Sequence, residues 1–105
     1  MLRDTDWAYL AGIIDGEGTM GVYRRQPRVV VAMCTEQPVL WIHETFGGRL
    51  KLARRVRNPD AREGLEIRYT WGVYSRAYVW EILDGCLPYL ILKRKKAEEV
   101  MPACV

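Results

Sequence analysis

The chain has few of the residues that build metal centres and disulfide frameworks. Its only histidine is His43, and its three cysteines, Cys34, Cys86 and Cys104, are widely spaced with no Cys-x-x-Cys pair. A zinc site or a disulfide scaffold is therefore not expected. Buried or incidental thiols in a reducing compartment are the better interpretation of these cysteines.

Long apolar runs are also missing. No stretch approaches the roughly 20 residues of a membrane-spanning helix. Residues 1–15 carry acids before their apolar stretch, whereas a secretory signal carries bases there, so we expect an intracellular protein without a signal peptide. The length of 105 residues predicts one domain, residues 1–105, too small for a large cleft of its own. A sizeable substrate would lie on its surface or between two copies.

Acidic residues are scarce where basic residues are dense. Residues 1–22 hold one base and four acids, residues 23–76 hold eleven bases and five acids, and residues 77–105 hold four of each. Twelve of the sixteen bases are arginine, whose planar guanidinium suits phosphate oxygens and guanine edges. This distribution predicts a polyanionic partner, with acids needed at one place beside it.

Periodicity and turn residues predict alternating helices and strands in the order α-β-β-α-β-β-α-α. Helices are predicted over 6–15, 37–46, 75–83 and 88–101, and strands over 19–25, 28–35, 49–55 and 66–73. Gly16 and Gly18 are expected to end the first helix, Gln26-Pro27 to form a turn, and Asp84-Gly85 to end the third helix. The predicted fold class is α+β, with one four-stranded antiparallel sheet and helices on one face.

Alternation within the strands separates an apolar face of the sheet from a basic one. Apolar side chains such as Val22, Leu52 and Ile67 are expected to face the helices, and the four tryptophans are expected to anchor the core. The open face is predicted to carry Thr19, Tyr23, Arg25, Arg28, Arg49, Lys51, Arg55, Arg68 and Thr70. A curved sheet with a basic face fits a DNA major groove, so we favour binding of double-stranded DNA over an ordinary solvated face.

Residues 10–18 read LAGIIDGEG, which resembles the nine-residue signature of the LAGLIDADG homing endonucleases. Seven positions fit that signature well, and Ile13 and Gly16 are common variants. The αββαββα order is that family's fold, and two later segments also resemble it: FGGRL at 46–50 and LPYLILKRKKAEEV at 87–100. The resemblance covers nearly the whole chain and implies a site-specific endonuclease with a homing-endonuclease fold.

The resemblance also implies a role for each residue that it matches. Glu17 aligns with the acid that binds the divalent metal, and the Gly16 carbonyl is a second candidate ligand, which implies Mg²⁺ or Mn²⁺ as cofactor. Lys93 matches the basic active-site residue, and Thr35 matches a polar position that helps to hold active-site water. The bases that follow are expected to contact backbone phosphates: Lys95 and Lys96.

Small residues on one face of the first helix predict close packing against another helix. Relatives with a single signature are homodimers, so the resemblance implies a homodimer and a near-palindromic DNA site cut in both strands. The predicted interface residues are Ala8, Ala11, Gly12, Asp15 and Gly16. Asp15 is expected to form hydrogen bonds at the helix end or across the dimer.

Two other functions remain open. The same dimer could bind DNA without cutting it, as a regulator, or the chain could be an RNA maturase that assists splicing of a host intron. Intact Glu17 and Lys93 favour the endonuclease. Single-signature relatives usually run longer, with extra C-terminal helices, which bears on DNA affinity and site length more than on the fold.

Overall fold

The described part of the chain, residues 1–57, 59–60 and 65–105 of a computed structural model, contains four α-helices, four strands and two short 3-10 helices. In chain order these are α1 (Asp4–Glu17), β1 (Gly18–Tyr23), β2 (Gln26–Met33), α2 (Glu36–Phe46), β3 (Arg49–Arg57), β4 (Leu65–Val73), α3 (Arg76–Cys86), a 3-10 turn (Leu87–Tyr89), α4 (Arg94–Val100) and a second 3-10 turn (Met101–Cys104). The order of helices and strands is the predicted one. None of the described helices is both long and apolar enough to span a membrane.

The four strands form one antiparallel sheet in the order β1-β2-β4-β3. Helices pack on one face of it, where Val29, Val31 and Trp71 are fully buried. The core is completed by apolar side chains of α1, α2 and α3, including Leu10 and Ile42. The predicted fold class is therefore confirmed.

A two-residue turn joins β1 to β2. Tyr23 pairs with Gln26, which leaves Arg24 and Arg25 as the loop, with φ angles of 51° and 67°. Two successive left-handed residues are typical of the turn that matches the twist of a hairpin. The prediction of a turn at Gln26 and Pro27 is wrong, because both residues pair with β1 as the first residues of β2. Proline is tolerated at the start of a strand.

The strands run further than the helices that cover them. Val22, Leu52 and Ile67 were predicted to face the core, yet they are 46%, 49% and 43% exposed. Val22 lies two residues beyond the buried Met20, and Leu52 lies at a shift in the β3–β4 register between Lys51 and Arg54. Alternation predicts which side chains of a strand share a face, but it does not predict where the helices that cover that face end.

Two helix ends differ from the prediction because a glycine lies inside a helix. α1 continues through Gly16 to Glu17, and α3 continues through Gly85 to Cys86. A Cβ atom at Gly85 would overlap the ring of Trp7. This glycine therefore serves close packing between α1 and α3 and does not end a helix.

The last predicted helix, 88–101, is interrupted. The chain forms the 3-10 turn Leu87–Tyr89, and α4 begins only at Arg94. The N–H groups of Ile91 and Lys93 donate to the Asp15 carboxylate. Because each N–H is already engaged, neither can complete a helical turn with a carbonyl four residues earlier.

Trp71 joins the core to the end of α2, so a substitution of Trp71 tests how much this contact stabilises the fold. Its Nε1 donates to the Gly47 carbonyl at 2.6 Å, and its side chain is 0% exposed. Trp71→Phe removes ring volume and this donor, so we expect the free energy of unfolding to fall by about 1–3 kcal/mol. Trp80→Phe makes the same change at a residue that is 41% exposed and should cost under about 0.5 kcal/mol. Urea unfolding measures both, and equal losses would contradict this account.

Candidate DNA interface and metal site

The open face of the sheet carries a shallow depression lined by all four strands. Five of the predicted DNA-binding residues line it: Thr19, Arg28, Arg49, Lys51 and Thr70. The strand register brings them together, since Thr19 lies opposite Val30 while Val30 and Arg49 both lie opposite Gly72. Directly opposite residues in antiparallel strands share a face. The result is a concave surface with three positive side chains.

Tyrosine rings hold two of these arginines against the sheet. The Arg28 guanidinium carbon lies 5.2 Å from the centre of the Tyr23 ring, and that of Arg49 lies 5.3 Å from the Tyr74 ring. Both distances are those of cation–π contacts. Tyr74 was not predicted as part of this face, although the alternation of β4 continues to it one residue beyond the strand. A packed guanidinium loses less conformational entropy when it binds a phosphate.

Three other predicted arginines differ in their placement. Arg25 lies exposed in the β1–β2 turn and not in a strand, and its carbonyl accepts from Arg76 Nη2 at 3.5 Å. Arg68 is exposed on β4. Arg55 pairs with Ile67 through its backbone, and its side chain is outside the described part of the chain.

Glu17 lies where the chain passes from the helix layer to the open face. It is the last residue of α1, directly before β1, and it is exposed. It lines a second depression together with Thr35, Arg68 and Cys34. The side chain of Thr35 makes no capping hydrogen bond at the start of α2. The structure therefore brings together Glu17 and Thr35, two of the predicted catalytic residues.

The oxygen atoms of Glu17 and Gly16 fit a magnesium or manganese ion. Glu17 offers an exposed carboxylate, and the last carbonyls of a helix lack an intrahelical amide partner. Among the described residues, no group of three or more histidine, cysteine, aspartate or glutamate side chains could hold a metal ion. Mg²⁺ needs only one or two carboxylates, because it keeps several waters and binds substrate phosphates. The donor set of one copy therefore suits such an ion only when DNA or a second copy adds ligands.

The ammonium of Lys93 is bound to the end of α1. Its Nζ donates to the Ile14 carbonyl at 2.9 Å and to the Gly18 carbonyl. α1 has no basic residue in its last turn, so Lys93 supplies the cation that the negative end of the helix dipole favours. Two of its three N–H groups are thus engaged within the chain, which its predicted role as the basic active-site residue did not anticipate.

Asp15 ties the same helix end to the segment before α4. Its Oδ2 accepts from the Ile91 N–H at 2.8 Å, and its Oδ1 accepts from the Lys93 N–H at 2.9 Å. Partial burial raises the pKa of Asp15, but the backbone N–H groups of residues 91–93 and the charge of Lys93 together lower it more, so the pKa lies below its usual value. Of the two roles predicted for Asp15, the structure shows hydrogen bonding at the helix end.

The other bases of the 93–96 run have separate roles. Arg94 donates from Nε and Nη2 to the Leu87 carbonyl at 3.2 and 3.1 Å, and from Nη2 to the Pro88 carbonyl at 3.2 Å. Arg94 therefore closes the 3-10 turn. Lys95 and Lys96 are exposed on α4, as their predicted contact with phosphates requires.

The predicted dimer interface on α1 is partly available. Gly12 and Gly16 are exposed, and a Cβ at either position would meet no described atom within 4 Å other than its chain neighbours and the nearby backbone of α1. Ala8 and Asp15 are half-buried. The prediction for Ala11 is wrong, because its side chain is 0% exposed and belongs to the core of its own chain.

Comparison with known proteins identifies the fold. No protein-family model and no curated protein matches the chain. Among solved structures it is similar to the homing endonuclease I-CvuI in complex with its target in the presence of Ca, with a TM-score of 0.71 and 23% identity over 94% of this chain and 65% of that chain. I-CvuI with the I-CreI target and Mg, in which the DNA is not cleaved, gives 0.66 and 21% over 94% and 66%. The archaeal intron-encoded homing endonuclease I-Vdi141I, complexed with DNA, gives 0.67 and 16% over 96% and 67%.

These neighbours are LAGLIDADG homing endonucleases, and this chain has their fold. It spans about two thirds of the length of each neighbour.

Gly18 fixes the exit from α1 and therefore the position of Glu17. A Cβ at Gly18 would lie 2.8 Å from the Ile14 Cα and 2.9 Å from the Ile14 carbonyl oxygen, and neither backbone atom can move easily. We expect Gly18→Ala to lower the free energy of unfolding by about 1–3 kcal/mol. Gly21→Ala adds the same methyl group where no described atom beyond the two chain neighbours lies within 4 Å and should be neutral or stabilise by up to about 1 kcal/mol. Urea unfolding compares them, and a harmless Gly18→Ala would contradict the tight exit.

Proposed function

We propose that this chain is a homing endonuclease of the LAGLIDADG type. It hydrolyses double-stranded DNA as a homodimer, at a long near-palindromic site, with a divalent metal. The observation that carries the proposal is the placement of Glu17, an exposed carboxylate at the end of the signature helix and beside a basic sheet face. The fold supports it, since the neighbours described as homing endonucleases are complexes with DNA or with a DNA target.

The sheet face suits duplex DNA in charge and in length. The depression combines Arg28, Arg49 and Lys51 with the hydroxyl groups of Thr19 and Thr70. Such groups position a duplex through its phosphates and read base edges in the groove. The longest dimension of the chain is 42 Å, which matches about 12 base pairs at a rise of about 3.4 Å each. A dimer would cover about twice that length.

Glu17 and the Gly16 carbonyl would hold the metal ion against the scissile phosphate. When bound, a hard divalent cation polarises the phosphate and lowers the pKa of an attacking water. The Thr35 hydroxyl lies in the same depression as Glu17 and can orient that water. Arg68, from the same depression, places a positive charge where the phosphate gains negative charge in the transition state.

A second copy supplies the other half of the site. The exposed side of α1 has two glycines, Gly12 and Gly16, and no close contact within the described chain explains why a side chain is missing there. Next to the end of α1 lie two strongly exposed apolar side chains, Ile91 at 89% and Leu92 at 74%. A partner helix packed on α1 would explain the glycines and would cover apolar surface. It would also bring two Glu17 carboxylates close together, one for each DNA strand.

Cleavage of DNA that contains the flanks of the chain's own gene tests the proposal. With Mg²⁺ the protein should make a double-strand break within a near-palindrome. Glu17→Gln keeps the size of the side chain but removes its charge, so cleavage should fall about a hundredfold or more. DNA affinity should stay within about threefold, because Glu17 contributes no attraction to phosphate.

Three outcomes separate the alternatives. Tight specific binding without cleavage, identical in wild type and Glu17→Gln, would favour a DNA-binding regulator. Stimulation of splicing of the flanking intron RNA without DNA cleavage would favour a maturase. Cleavage that survives Glu17→Gln at the wild-type rate would place the active site elsewhere.

The oligomeric state is tested by adding a side chain to the open side of α1. Gly12→Leu should convert the dimer into a monomer of 12.2 kDa, because the added side chain separates the two helices. Ala77→Leu adds a leucine at an exposed position of α3 and should leave the dimer intact. Sedimentation velocity at micromolar concentration measures whether each variant is a monomer or a dimer. A wild-type protein that stays monomeric with and without DNA would contradict the homodimer.

A further inference from the structure

Lys93 contacts the end of α1 on both sides of Glu17. Its ammonium donates to the Ile14 carbonyl, three residues before Glu17, and to the Gly18 carbonyl, one residue after it. The backbone N–H of the same lysine donates to the Asp15 carboxylate. Lys93 is therefore joined to α1 through its side chain and through its backbone.

These contacts are reciprocal. Ile14 at the end of α1 and Gly18 at the start of β1 offer their carbonyls to the Lys93 side chain, and the 91–93 segment offers two backbone N–H groups to the Asp15 side chain. All these bonds have a charged group on one side, and hydrogen bonds of this kind are about twice as strong as neutral ones. Lys93 is half-buried, so water competes for its bonds less than it would at an exposed lysine.

We propose that Lys93 is a positioning residue, whose ammonium acts together with the Asp15 carboxylate to fix the direction in which Glu17 leaves α1. This inference rests on the proposed role of Glu17. Lys93 then supports the reaction through the backbone around Glu17 and not through a contact with the phosphate. A displacement of about 1 Å at a reacting group is enough to lower a rate about a hundredfold, so a tether of this kind is worth as much as a direct contact.

Lys95 offers a matched comparison. It is exposed on α4, two residues further along, and it is proposed to contact backbone phosphates. A lysine that neutralises one phosphate adds about 0.9 to the slope of log affinity against log salt concentration. A lysine that positions Glu17 adds nothing to that slope.

The test compares Lys93→Met with Lys95→Met in the full-length protein. Amide hydrogen exchange is measured without DNA, and the salt dependence of binding is measured on a mixed-sequence DNA duplex. Lys93→Met should speed exchange at residues 16–18 about tenfold, leave the salt slope unchanged, and lower cleavage of the flanking DNA about a hundredfold. Lys95→Met should lower the salt slope by about 1 and leave exchange at 16–18 unchanged.

A double-mutant cycle gives a second reading. Asp15→Asn should also speed exchange at residues 16–18. If both residues belong to one tether, Lys93→Met should cost less cleavage activity in the Asp15→Asn background than in the wild type. Independent, additive losses would overturn the inference.

Other results overturn it in distinguishable ways. Unchanged exchange in Lys93→Met would mean that Lys93 does not restrain residues 16–18, and a fall in its salt slope would mean that Lys93 contacts DNA directly. Faster exchange with wild-type cleavage would mean that the tether does not position Glu17. A wild-type protein that cuts no DNA removes the proposed function and with it this role of Lys93, while the exchange data still decide whether the tether exists.

Discussion

Hydrogen bonds between α1 and the segment 91–93 are the constraint on which the candidate site depends. Without them the end of α1 would lose the ammonium that is bound to its carbonyls, and its own last turn contains no base. The same bonds interrupt the last helix before Arg94 and hold Ile91 and Leu92 beside α1 with their side chains exposed. One set of contacts therefore shapes the end of α1 that is proposed to bind the metal and the apolar surface proposed for the dimer.

The second constraint is the distribution of charge over the two faces of the sheet. The helix side buries apolar residues around Trp71, and the open side collects arginine, lysine and threonine side chains from four strands. Glu17 reaches the open side because it is the residue at which α1 becomes β1. A small chain could act on DNA in the proposed way, since the duplex itself and a second copy would complete the site.

Much of this was predictable from local sequence. The order of elements follows from periodicity, and the basic face follows from alternation in strands such as β2, which pairs on both edges. The tether was not predictable, because Asp15 and Lys93 are 78 residues apart in sequence and neither pattern refers to the other. The glycine in α3 was misread for the same reason: whether Gly85 ends a helix depends on Trp7, which packs on it from α1. The exposure of Val22 depends on where the helices stop, and that of Leu52 falls at a register shift between β3 and β4; neither is contained in a strand pattern.

The central claim is that Glu17 binds a divalent metal at the DNA interface. Mn²⁺ tests it most directly, because this paramagnetic ion broadens the NMR signals of nearby nuclei. Added to the wild-type protein on a DNA duplex, Mn²⁺ should broaden the amide signals of residues 16–18 first, and Glu17→Gln should abolish this effect. Broadening centred instead on the exposed acids of α4, Glu98 and Glu99, or unchanged by Glu17→Gln, would contradict the account.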